Sequence, residues 1–142
     1  MNRINCGRVI GGGVLAGIVI FFIMGAVNHL ALGGYWQIWM AQAGPLWHHP
    51  SQHRSMALWF AESIVMGITG VWIYAGIRPR YGAGVLTAFR AGFLVWLAGH
   101  FSDALNQLAL GLLSKHIIMG ECVGGLIAVL LGTLAGAAPY KE

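Results

Sequence analysis

The apolar residues of this chain fall into four long blocks separated by short polar or glycine-rich breaks. The blocks run from about residue 9 to 33, 56 to 77, 86 to 112 and 117 to 138. A hydrocarbon core of about 30 Å needs about 20 helical residues to cross it, and every block is long enough. Only 8% of the 142 residues are charged, against about a quarter in a soluble domain. Four Asp and Glu cannot solvate a surface of this size, so the solvent this sequence expects is lipid. The predicted fold is all-α, a four-transmembrane-helix bundle forming a single membrane domain over residues 1–142.

The first block needs one further test. Asn2, Arg3 and Arg8 precede it, and Ala41-Gln42-Ala43 resembles a small-residue cleavage site. The block is longer than a signal-peptide core, so it reads as a retained transmembrane helix. Between the first two blocks lies a segment from 34 to 55 that carries Tyr35, Trp36, Trp39, Trp47, His48, His49 and His53. Aromatic rings of this kind settle at the membrane–water boundary. Residues 35–43 are expected to form a short interfacial helix.

The net charge of +4 comes from charges that lie between the apolar blocks. They form no basic patch with interleaved aromatics, so nucleic acid is not an expected partner. Arg3, Arg8, Arg78, Arg80, Arg90 and Lys141 fall on one side of the predicted membrane, and Arg54 and Lys115 on the other. The richer side is cytoplasmic by the positive-inside rule, which puts both termini inside and the aromatic loop outside. Arg90 then begins the third helix near the inner headgroups, where snorkelling explains it. Cys6 and Cys122 fall near opposite faces and are too far apart for a disulfide.

An internal repeat is suggested. Ala16-Gly17 followed by Asn28-His29-Leu30-Ala31-Leu32-Gly33 parallels Ala91-Gly92 followed by Asn106-Gln107-Leu108-Ala109-Leu110-Gly111. Glu62 and Glu121 each come early in an even-numbered block. Two tandem helical hairpins would share one orientation, making the repeat parallel. Glycines four apart, Gly13 with Gly17, Gly120 with Gly124 and Gly132 with Gly136, are expected to mark helix packing faces.

Polar groups within the blocks are costly in lipid and need a reason. Asn28, His29, Glu62, His100, Asp103, Asn106 and Glu121 form the candidate intramembrane polar cluster, with Ser102 and Gln107 nearby. At about 1.5 Å of rise per residue, His29 and Glu121 lie about 6 Å below the outer ends of their blocks. Glu62 and Asn106 lie about 9 Å deep, Asp103 about 13 Å, and His100 near the midplane. All four blocks therefore bring polarity to the outer half of the membrane. The cluster reads in three ways: mutual polar glue for the bundle, a proton, ion or solute site opening outward, or a cofactor site. For the last, His29 and His100 are the candidate tetrapyrrole ligands. His48, His49 and His53 are the candidate divalent-metal ligands in the outer loop. No phosphate loop, nucleophile–base spacing or zinc-protease signature is present, and no catalytic residue is assigned.

Asn5-Cys6-Gly7-Arg8-Val9, the junction Ile77-Arg78-Pro79-Arg80-Tyr81-Gly82-Ala83-Gly84 with Thr87-Ala88, and the closing Tyr140-Lys141-Glu142 carry a resemblance. The chain resembles a widespread group of small bacterial four-helix integral membrane proteins. The resemblance covers most of the chain and implies a bacterial inner-membrane location. Its motifs are junction residues, so it implies topology and no chemistry.

The expected function is a non-catalytic accessory subunit of a larger membrane assembly, respiratory or photosynthetic. The alternatives are a homo-oligomeric carrier or channel built on the outer polar cluster, and a haem-, chlorophyll- or metal-binding membrane protein. The expected partners are the lipid bilayer and either other membrane subunits or further copies of the chain.

Overall fold

A computed structural model describes residues 4–44 and 51–140. Among them the structure is all-α, in the order α1 (Cys6–Ala26), a π turn (Val27–Ala31), α2 (Gly33–Ala43), α3 (Gln52–Tyr81), α4 (Val85–Trp96), a second π turn (Leu97–Phe101), α5 (Ser102–Leu110) and α6 (Lys115–Ala137). Four helical stretches are long and apolar enough to cross a membrane: Cys6–Ala31, Gln52–Tyr81, Val85–Leu110 and Lys115–Ala137. They are called spans 1 to 4 below.

The helix starts are set by side chains that cap otherwise unpaired backbone donors. Asn5 Oδ1 accepts from the Arg8 N–H at 3.2 Å. Ser51 Oγ accepts from Arg54 N–H and Ser114 Oγ from Ile117 N–H, both at 3.4 Å. These caps start spans 1, 2 and 4 slightly earlier than hydropathy alone suggests. Span 2 also continues through Pro79 to Tyr81. A proline in the last turn removes only one donor, and the stop comes at Gly82, where φ is 81° and the backbone is open to glycine. Gly111, at φ 65°, ends span 3 in the same way.

Span 1 packs against spans 2 and 4, span 3 packs against the same two, and spans 2 and 4 also touch. Small residues allow the close approaches. Gly12 and Gly136 face each other so closely that a methyl on either would overlap the other's carbonyl. Gly67 of α3 sits against Gly13 and Gly17 of α1 in the same manner. In lipid, such backbone contact replaces the hydrophobic drive that water would supply.

The core is concentrated toward the end that carries Asn5 and Tyr140. Val9, Ala16, Val71, Tyr74, Ala75, Ala88, Ala91, Ala137 and Tyr140 form one buried cluster there. Ile20, Val95, Ala128 and Val129 continue it toward the middle. Tyr140 closes that end: its hydroxyl accepts from the Asn5 N–H at 3.3 Å, and its ring meets Tyr74 edge-on. At the opposite end Leu32, Ile117 and Ile118 are buried, but the α3 side is looser. Along α3 no residue before Ser63 is buried. That asymmetry positions the polar site.

Candidate functional site

The two π turns organise the polar residues. A π turn inserts an extra residue into a helix and turns the side chains that follow to a new face. In the first, Asn28 Nδ2 donates to the Met24 carbonyl at 3.1 Å. Asn28 Oδ1 accepts from Trp36 Nε1 at 2.8 Å. The Asn28 side chain also lies close to the Glu121 carboxyl on α6.

The second π turn is braced on both sides. Trp96 Nε1 donates to the Cys122 carbonyl at 2.9 Å, and Ser102 Oγ donates to the Leu97 carbonyl at 2.9 Å. Between them the imidazole of His100 lies flat against Gly125 of α6, where a Cβ would overlap the ring. His100 Nε2 is buried and has no hydrogen-bond partner among the described residues.

Glu62 of α3, Asp103 of α5 and Glu121 of α6 lie within electrostatic range of one another, and His100 within range of Asp103. Asn28, Glu62, His100, Asp103 and Glu121 are thus brought together from all four spans. Glu121 and His100 are half-buried, whereas Glu62 and Asp103 are exposed on the protein surface. His29 and Asn106 are exposed as well, and Gln107 is half-buried. In an uninterrupted helix, a spacing of three and four would put His100, Asp103 and Asn106 or Gln107 on one face. The π turn breaks that register, so His100 faces α6 while Asp103 and Asn106 are exposed.

α2 is fastened over this end of the bundle. Trp36 holds Asn28, and Trp39 Nε1 donates to the Leu112 carbonyl at 2.7 Å. Tyr35 stacks on His116 with ring centroids 4.9 Å apart. The roles of Trp36 and Trp96 are absent from the sequence reading. The available signal was that an indole N–H placed in an apolar setting takes a partner.

His48 and His49 lie outside the described residues, and His53 is exposed at the start of α3. Among the described residues no three His, Cys, Asp or Glu are placed to hold a metal ion. The glycine pairs divide in two. Gly13, Gly17, Gly132 and Gly136 lie against neighbouring backbone, whereas Gly120 and Gly124 receive the side chains of Leu32 and Val27. Arg90 lies over the ring of Tyr81, 4.8 Å from its centroid.

Chemically, the site offers carboxylates to a cation or proton, with one imidazole beside them. No family, curated protein or solved structure matches the chain.

Proposed function

We propose that the chain is a non-catalytic accessory subunit of a larger membrane assembly, respiratory or photosynthetic. One observation carries this reading: Glu62 and Asp103 are exposed on helices apolar enough to cross a membrane. Lipid does not tolerate an uncovered carboxylate pair at that depth, so a neighbour or water must cover it. Tight glycine packing at the other end gives a rigid body suited to docking. The test is mild-detergent extraction of the tagged chain from its own membrane. Stoichiometric partner proteins in the particle support the proposal; the chain alone contradicts it.

The setting belongs to the same proposal. The bilayer is a bacterial inner membrane, as the resemblance of the junction motifs implies, and both termini are cytoplasmic, as the Lys/Arg distribution supports. The chain is two tandem hairpins, supported by a π turn in each odd-numbered span and by burial of both Ala16-Gly17 and Ala91-Gly92.

A second reading is a homo-oligomeric proton or cation carrier. Glu121 and His100, partly enclosed beside the exposed acids, favour it. Flux into proteoliposomes that is lost in Glu62→Gln and Glu121→Gln would establish it, and flux indifferent to both would remove it.

A further inference from the structure

At the end that carries Tyr140, spans 2, 3 and 4 leave a space between them. A cavity of about 400 Å³ lies between the last turns of α3, the start of α4 and the end of α6. That volume falls within the range of small-molecule sites, about 300–1,000 Å³. Among the described residues, Arg78 of α3 is the one charged residue in the lining. Tyr74 and Tyr140 supply hydroxyls, and the remaining walls are apolar, with Val85 and Ala88 from α4 and Leu134 from α6.

The arginine is positioned by its neighbours. The Arg78 guanidinium lies 5.6 Å from the centroid of the Tyr140 ring. That ring is fixed in turn by Tyr74, edge-on, and by the Asn5 N–H that its hydroxyl accepts. Arg80 is exposed and lies outside the lining. Gly84 lines the cavity as the N-cap of α4, where no side chain caps the first backbone N–H groups. The positive end of that helix adds to the field of Arg78. Among the described residues the acids belong to the other end of the bundle. Glu62 precedes Arg78 on the same helix by about 24 Å, and Glu121 precedes Ala137 on α6 by about as much.

The level of the cavity points to lipid. α3 has 30 residues, about 45 Å of helix, which matches a bilayer with its headgroup layers, about 40–45 Å thick. Arg78 lies about 4.5 Å inside the end of that helix, at headgroup level. Tyr81, with Arg90 4.8 Å over its ring, ends the same helix, and such an aromatic–cation pair suits the membrane boundary. An anion from water would meet Arg78 but gain nothing from Val85, Ala88 and Leu134. A lipid phosphate brings its glycerol against those walls.

We infer that this cavity binds the phosphodiester headgroup of an anionic glycerophospholipid. Arg78 holds the phosphate, since a guanidinium presents N–H donors in a fork that fits such oxygens in pairs. A zwitterionic lipid carries the same phosphate, but the field of Arg78 and of α4 repels its amine. Basic pockets between membrane helices recognise anionic headgroups in this way. The inference goes beyond the subunit and carrier readings alike and needs only that the spans cross a bilayer.

The test uses the full-length chain, stripped of lipid in a neutral detergent and titrated with phosphatidylglycerol or phosphatidylcholine. Native mass spectrometry counts the bound lipid. The expected result is at least about tenfold tighter binding of phosphatidylglycerol at one saturable site, in the range of a hydrogen bond to a charged group. The preference should be lost in Arg78→Gln and kept in Arg80→Gln, which removes the same charge outside the cavity. Ala83 is an exposed member of the lining, and Ala83→Leu should weaken phosphatidylglycerol binding with no change of charge. Melting curves show that each variant is folded. A phosphatidylglycerol with a photoreactive diazirine in its headgroup locates the site without any substitution, and its crosslinks should fall in residues 83–88 or 134–140.

Equal affinity for the two lipids overturns the inference. So does a preference that survives in folded Arg78→Gln, one lost equally in Arg80→Gln, or crosslinks confined to other segments. Inorganic phosphate that displaces the lipid at equal concentration would make the site one for a free anion and would overturn the lipid assignment. None of these results bears on which proteins accompany the chain in its native particle, so a failure here leaves the subunit reading intact.

Discussion

Trp36 Nε1 donates a 2.8 Å hydrogen bond to Asn28 Oδ1, joining the short helix α2 to the π turn of span 1. Asn28 also lies close to Glu121, so one amide stands between α2 and α6. Trp36→Phe keeps an aromatic ring, smaller than the indole, and removes the donor. The expected cost is about 0.5–1.5 kcal/mol, read from thermal or denaturant unfolding in detergent. In an Asn28→Ala background the same change should cost less by the worth of that hydrogen bond. Equal costs in the two backgrounds would show that the contact carries no energy.

The bed of His100 makes a sharper case. Gly125→Ala puts a methyl into the imidazole, and overpacking of this kind costs about 1–3 kcal/mol. With His100→Ala already present, that cost should vanish. A Gly125→Ala penalty independent of residue 100 would mean that the ring does not rest there.

The glycine contacts differ in what they tolerate. Gly67→Ala drives a methyl into the backbone of Gly13 and Gly17, and should lower stability by about 1–3 kcal/mol. Gly76→Ala meets nothing within 4 Å. It should leave stability unchanged or raise it by about 0.5–1 kcal/mol through helix propensity. Melting curves of the two variants side by side check both directions, and similar losses would contradict the packing.

Tyr140 separates hydrogen bonding from packing. Tyr140→Phe loses the bond from the Asn5 N–H but keeps the edge-on contact with Tyr74, whose ring centroid is 6.1 Å away. A loss of about 1 kcal/mol or less is expected. Tyr140→Ala also empties part of the buried cluster and should cost about 3 kcal/mol or more. Equal losses would place the ring outside the core.

The spans were legible in the sequence because lipid imposes a length on every apolar block. Asn28, His29, Glu62, His100, Asp103, Asn106 and Glu121 stand out in the sequence because polar and ionisable residues inside such blocks are rare. The register was not legible. The π turns at Val27–Ala31 and Leu97–Phe101 lie beside the hydrogen bonds of Asn28 and Trp96 to other elements, and no periodicity in the sequence announces them. They rotate His100 toward Gly125 and leave Asp103 and Asn106 exposed. The stop of span 2 was placed too early because Arg78-Pro79-Arg80 looks like a breaker, while the backbone turns only at Gly82.

The central claim is that the chain leaves Glu62 and Asp103 for another protein to cover. The native mass of the particle extracted from its own membrane in mild detergent tests this most directly. The account predicts a mass well above a small multiple of 15.2 kDa, with other proteins present in fixed ratio. A particle containing only this chain, as a monomer, dimer or trimer, would contradict it.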